Sequence, residues 1–205
     1  CTHAGGRRPP LHPDDFAAAI ARKSFTNGRE DTPLVIQLYR MAFEQLCGQA
    51  KKLSFCMLGW DDVDVAQLAK LVKRGVFEHL EYLELFQNRI GDSGIEALSE
   101  AIREGGLAKL RSLKLYDNRI ADRGVVALAE AVRKGGLANL KRLELHANHV
   151  GEEGMAALTE AIRMGGLPSC QHISCFTLHN PGRDPAKAAL DERLESQSAM
   201  TAGNA

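Results

Sequence analysis

The chain has 205 residues, 44% hydrophobic and 25% charged, which supplies the core of an ordinary folded domain and excludes wholesale disorder and collagen. Lys and Arg together equal Asp and Glu at 26 each, so no global field draws the chain to nucleic acid or an acidic membrane surface. No apolar run approaches the roughly 18 to 20 residues of a membrane helix, and the opening CTHAGGRRPP lacks the apolar core of a signal peptide. Five cysteines without framework spacing and no Asn-x-Ser/Thr acceptor point to a reducing compartment, cytoplasmic or nuclear. A first residue other than Met suggests a fragment or a processed chain.

In chain order, residues 1–31 read as a mobile N-terminal segment. Positions 1–13 are rich in Gly, Pro and Arg, and Asp14 to Phe25 forms a short helix that uses Phe16 and Ile20. Residues 32–48 are a capping helix, with Thr32 as N-cap, Pro33 in the first turn and Gly48 beyond the end. Its face of Leu34, Leu38, Met41/Ala42 and Gln45/Leu46 is expected to cover an open core. Residues 181–205 form a weak helix from Asp184-Pro185, with Leu190 and Leu194, and a disordered tail at the very end.

Residues 49–180 are organised by a gapless period of 30. Units begin at Leu80, Leu110 and Leu140, and the first two share 17 of 30 positions. A degenerate unit precedes them and half a unit follows, about 4.5 in all. In each unit L-x-x-L-x-L-x-x-N-x-I is a short strand whose leucines alternate inward, as Leu83 and Leu85 do. A helix follows. In the first full unit Asp92 is its expected N-cap, Ile95, Leu98, Ala101 and Ile102 share its inner face, and Gly105-Gly106 ends it. Pairs Glu100/Arg103, Glu130/Arg133 and Glu160/Arg163 are expected on the wet face.

This pattern resembles the leucine-rich repeat family, specifically its ribonuclease-inhibitor-like subclass with a full helix per repeat. The resemblance implies an α/β right-handed solenoid, with short parallel strands on a concave face and helices on the convex face. Strands stack at about 4.8 Å and helices at about 10 Å, and that mismatch bends such a stack. The resemblance also assigns Asn88, Asn118 and Asn148 a structural role, turning inward to bond the backbone of neighbouring coils. Leu58 and Leu178 stand at the equivalent sites of the outer units, and Trp60 reads as core filling.

Nothing carries chemistry convincingly. Cys170-x-His172-x-x-Cys175-x-x-x-His179 looks like a zinc set, but the strand period sends Cys170 and Cys175 inward and His172 outward, so no metal or other cofactor is expected. Cys47 and Cys56 read as lone thiols. The GGL triplets recur with the structural period and are helix ends, not a phosphate cradle. The chain is therefore read as non-enzymatic.

The outward strand positions form ladders. Tyr82, Arg142 and His172 lie in one row, Glu84, Lys114 and Glu144 in the next. Phe86, Tyr116, His146 and Phe176 make a mostly aromatic third row, and Arg89 and Arg119 a basic rim. Exposed aromatics among charges suit a binding surface, whereas rings that merely stack on one another need no partner. The expected function is a protein-interaction scaffold whose concave face binds another protein, with no nucleic acid, membrane or small-molecule substrate. Two alternatives stand beside it: a GTPase regulator similar to the Ran GTPase-activating protein, or a sensing fragment of a Nod-like-receptor-type or cytoskeletal repeat protein. Strand segments of the full units are net basic and helix segments net acidic, so the zero total hides a two-sided charge.

Overall fold

Short strands recur at the period of the repeat and pair in sequence order, which a chain achieves only by coiling. The computed structural model describes residues 8–23, 31–175 and 184–202. Five strands, β1 (Lys52–Ser54), β2 (Tyr82–Glu84), β3 (Ser112–Lys114), β4 (Arg142–Glu144) and β5 (His172–Ser174), form one parallel sheet in the order β1-β2-β3-β4-β5. The register matches equivalent positions of successive units, Lys52 to Tyr82 and Tyr82 to Ser112, so each row of the sheet is one position of the repeat. Between the strands run α3 (Asp62–Lys73), α4 (Asp92–Arg103), α5 (Asp122–Arg133) and α6 (Glu152–Arg163), each packed on the next. This is an α/β solenoid of alternating strands and helices in one open sheet. The strand side is its inner side, because strands stack more closely than helices do.

The core lies between sheet and helices. Leu83, Leu113 and Leu143 from the strands meet Ile95, Leu98 and Ile102 and their equivalents from the helices, all essentially without solvent contact. Each helix ends where a glycine adopts a left-handed conformation, φ +94° at Gly105 and +89° at Gly135. The glycine that follows is required for closeness. A Cβ on Gly106 would lie 2.3 Å from a methyl of Val72 in the preceding coil.

Side chains of one coil satisfy the backbone of its neighbours, in both directions. Asn118 accepts from the Ile90 N–H at 3.1 Å and donates to the Leu85 and Leu115 carbonyls at 3.0 Å each. Asn148 repeats this with Ile120, Leu115 and Leu145. Asn88 accepts from the Leu58 and Trp60 N–H groups at 3.1 and 3.0 Å. The aspartates reach the other way. Asp92 does not cap its own helix, whose N-cap is Gly91 with no side-chain bond; it accepts from Ala121 N and Gly124 N, at 2.8 and 2.9 Å, and so caps α5. Asp122 does the same for α6 through Gly151 and Gly154. The first helix of the stack has no such neighbour before it, and α3 is capped by Asp61 in a box with Asp64.

The flanks depart from the sequence reading. Residues 8–13, expected to be mobile, lie against the first coil, with Arg8 paired to buried Asp64 at 2.9 Å and Pro9 and Pro13 buried. A short α1 (Pro13–Ile20) is held to α2 (Asp31–Phe43) by Phe16 stacking on Tyr39, ring centres 3.7 Å apart. Phe25 and residues 1–7 lie outside the described residues. In α2 the inward face is not the expected one. Leu34, Leu38, Met41 and Leu46 are 55%, 55%, 58% and 72% exposed, while Phe43 is buried and Tyr39 packs on the core. Phe16 stacking on Tyr39 and the burial of Phe43 fix the helix phase instead. A π-helical turn over Glu44–Gly48 follows.

At the far end α7 (Pro185–Ala202) covers residues 196–202 of the last ten, which were read as a disordered tail; residues 203–205 lie outside the described residues. There the Ser196 and Ser198 hydroxyls bond back to the Glu192 and Leu194 carbonyls, satisfied within the helix instead of breaking it. Arg193 donates to the carbonyls of Gly166 and Leu167 at 2.7 Å each, beyond the end of α6, closing the last coil. On the helix side Glu100 pairs with Arg103 as expected, but Glu130 pairs with Lys134, at 3.0 Å, rather than with Arg133. The i,i+4 spacing is equally in reach on a helix surface.

Replacing Asn118 by Ala strands a buried N–H and two carbonyls, and should lower unfolding free energy by about 2 to 4 kcal/mol. The same change at exposed Asn139 should cost under about 0.5 kcal/mol. Urea unfolding of both variants checks the contrast; equal losses would refute the assigned role of the buried amide.

Candidate functional site

The outward strand positions converge on one surface. Phe86, Tyr116 and His146 follow β2, β3 and β4 at the same place in the repeat, and their rings form a parallel stack. Centres are 4.5 Å apart for Phe86 and Tyr116, with planes 9° apart, and 4.7 Å and 6° for Tyr116 and His146. Parallel register imposes this, because strands about 4.8 Å apart hold equivalent side chains at ring-stacking distance. All three are half-buried. His146 Nδ1 is also 3.1 Å from the Ser174 hydroxyl of the next strand. Phe176, expected to extend the row, and Leu178 lie outside the described residues.

Charged rows flank the stack. Glu84 lies between Lys52 and Lys114, at 3.1 and 3.2 Å. Its burial works to raise its pKa, but the hydrogen bonds from Lys52, Ser54 and Lys114 outweigh this and hold it below the usual carboxylate range. Lys114 is not matched with Glu144 as strict alternation along the row would have it. Glu144 instead pairs with Arg142 of its own strand at 3.4 Å. Burial, then the negative charges of Glu144, Glu84 and Asp117, hold the Tyr116 hydroxyl above its usual range, so it stays protonated as a donor.

Tyr82 is 41% exposed in the row before, next to small, buried Ser112; His172 is exposed at the end of that row. Arg89 and Arg119 are exposed on the rim beyond the strands, with no ion pair among the described residues. The structure therefore brings Glu84, Phe86, Lys114, Tyr116, Glu144 and His146 into one continuous surface, with Tyr82, Arg142 and His172 along one side and Arg89 and Arg119 along the other.

Cysteines contribute no reactive centre here. Cys170 and Cys175 are buried among the leucine positions and burial pushes both thiols up. His172 faces the opposite way and is exposed. His179 lies outside the described residues. Cys56, read as a lone thiol, is disulfide-bonded. Among the described residues no cluster of His, Cys, Asp or Glu has the arrangement of a metal site, and no helix is long and apolar enough to cross a membrane.

The sequence reading placed Lys52 and Ser174 in the ladders but left them out of the candidate site, although Lys52 shares Glu84 and Ser174 meets the His146 ring. Both stand in the same ladders, one period from a named neighbour, so the repeat itself marked them. It also missed the forward reach of Asp92, although the recurrence of Asp at 62, 92 and 122 was the available sign.

Comparison with known proteins agrees with the coil. A family model described as Leucine Rich repeat matches residues 78–99 and 106–129. No curated protein matches the chain significantly. Among solved structures, leiomodin-1 actin-binding site 2 is similar with a TM-score of 0.58 at 12% identity, over 80% of this chain and 95% of that one, a likeness of fold.

The pairing of Glu84 makes acid sensitivity testable. A depressed carboxylate stabilises the fold above its unfolded pKa, about 4.3, and that contribution fades as pH falls through the lower folded value. Glu84→Gln should therefore be less stable than wild type near neutrality, with the gap in Tm closing as pH falls below the unfolded carboxylate range. A gap that persists at low pH would show that packing, not charge, carries the effect.

Proposed function

Because the chain is a leucine-rich repeat protein, we propose that it is a non-enzymatic protein-interaction scaffold whose strand face docks a partner protein. The observation that carries this reading is the stack of Phe86, Tyr116 and His146. It is a half-exposed aromatic strip, set among charged side chains, on the outward side of β2 to β4, which no described helix covers. Aromatics ringed by polar groups are the usual anchors of protein interfaces, and Tyr and Arg are enriched among residues that dominate binding. The scaffold fixes these side chains before any encounter. Each ring is held by its neighbour and each glutamate by a lysine or arginine, so little side-chain entropy remains to be lost on docking.

That rings stack on one another does not argue against docking; it makes them rigid. The similar coil in leiomodin-1 is an actin-binding site, which supports recognition of a protein surface as a use of this fold. The GTPase-regulating and receptor-fragment alternatives gain no support from the comparisons.

Affinity capture from a matched lysate, read by mass spectrometry, should recover one or more proteins with the wild type that are depleted at least tenfold with Phe86→Ala/Tyr116→Ala. A helix-side variant, Glu100→Gln/Glu130→Gln, should recover them in full, and circular dichroism should be unchanged for both. Equal recovery by the aromatic variant would overturn the reading.

A further inference from the structure

Parallel stacking decides which part of each ring meets solvent. Both faces of Tyr116 are occupied, by Phe86 and by His146, and each of those rings has one face covered. Along its length, between its two ends, the stack therefore offers a ligand ring edges. An aromatic ring is negative on its faces and positive at its edge. A row of edges thus favours anions and disfavours ligands that need a free face, such as a quaternary ammonium or an unstacked nucleobase.

The strand side as a whole is net basic, although Glu144, Glu84 and Asp117 lie near the Tyr116 hydroxyl. Strand-side segments 51–59, 81–89, 111–119 and 141–149 hold eight Lys and Arg against four Asp and Glu, whereas α3 to α6 hold ten acidic residues against six basic. The strand-side acids are largely committed: Glu81 to Arg111, Glu84 to Lys52 and Lys114, Glu144 to Arg142. Arg89 and Arg119 on the rim have no such partner among the described residues, and Asp117 is the single unpaired carboxylate between them. The Tyr116 hydroxyl, kept protonated, adds a donor suited to a carboxylate.

Resting on the docking reading above, we propose that the partner presents an acidic, extended polypeptide segment. It lies along the row of ring edges, with its carboxylates on Arg89 and Arg119. Neighbouring strands are about 4.8 Å apart, so the rim from position 89 to position 149 spans about 10 Å. That is the reach of three or four extended residues at about 3.3 Å each. The recognition element is therefore short, two or three carboxylates with apolar residues between them, and its association is steered by charge and weakened by salt.

The test uses a fluorescein-labelled dodecapeptide of Asp, Glu, Gly and one Phe. Its counterpart has every acid replaced by Asn or Gln, and an oligo-dT of equal length and vesicles of phosphatidylserine and phosphatidylcholine serve as competing anions. Anisotropy titrations of the full chain should show the acidic peptide binding at least tenfold tighter than its amide counterpart, with affinity falling as NaCl rises. Arg89→Glu/Arg119→Glu should lose at least tenfold, and Asp117→Asn should gain. Equal binding of the two peptides, tighter binding of oligo-dT or vesicles, or indifference to the charge reversal would each overturn the proposal. Applying Arg89→Glu/Arg119→Glu to the captured partner separates the two readings. A partner lost with Phe86→Ala/Tyr116→Ala yet retained after charge reversal would keep strand-face docking and overturn acid selection. A partner retained by both variants would overturn docking itself.

Discussion

A coil that returns on itself once per repeat must turn its backbone inside a stack of other coils, where water cannot serve the turning N–H and C=O groups. Left unpaired, each such group costs on the order of 1 to 3 kcal/mol. One asparagine per repeat meets this demand. Its amide has both donor and acceptor, so Asn118 bonds a backbone N–H of the coil before it together with carbonyls of that coil and its own. A leucine there would fill the space but leave the groups orphaned. The strand register, the stacking of helices and the alignment of the outward side chains all depend on that closure being repeated at a fixed interval.

From that constraint the surface follows. Because every coil closes identically, equivalent residues line up across the sheet, and a single substitution per repeat becomes a row. Three rings in one row must stack, and three stacked rings present edges. Lysines on the two flanking strands can share one glutamate, as Lys52 and Lys114 share Glu84. The chemistry of the strand side is therefore written one residue per repeat, while its geometry belongs to the coil.

How much of this could be read beforehand depended on whether a feature shared the period. The strands, the inward leucines, the asparagines and the ladder of Phe86, Tyr116 and His146 all recur with the repeat, and were legible for that reason. Asp92 was assigned to its own helix because capping is a local rule; its actual target lies one repeat ahead, in space and not in sequence. The first capping helix was misread for a related reason. Leu34, Leu38 and Met41 make a convincing apolar stripe, but α2 has no periodic neighbour to confirm its phase. Pairing of Phe16 with Tyr39 and burial of Phe43 turned that stripe outward. The sharing of Glu84 by two lysines was a matter of side-chain reach, which spacing does not specify.

Asparagines that serve the coil before and aspartates that serve the coil after give each interior unit the same two sockets and the same two plugs. A copy of residues 110–139 spliced next to the original would offer Asn118 backward and Asp122 forward as the original does, and would accept both in turn. Special fittings belong to the ends alone: Asp61 and Asp64, which cap α3 without help, and Arg193, which closes the carbonyls beyond α6. Duplication of whole units is thus a route by which such a chain can lengthen without redesign. On the proposed docking reading, each added unit would extend the strip by one strand spacing and one ring, which would tie the length of segment recognised to the number of repeats.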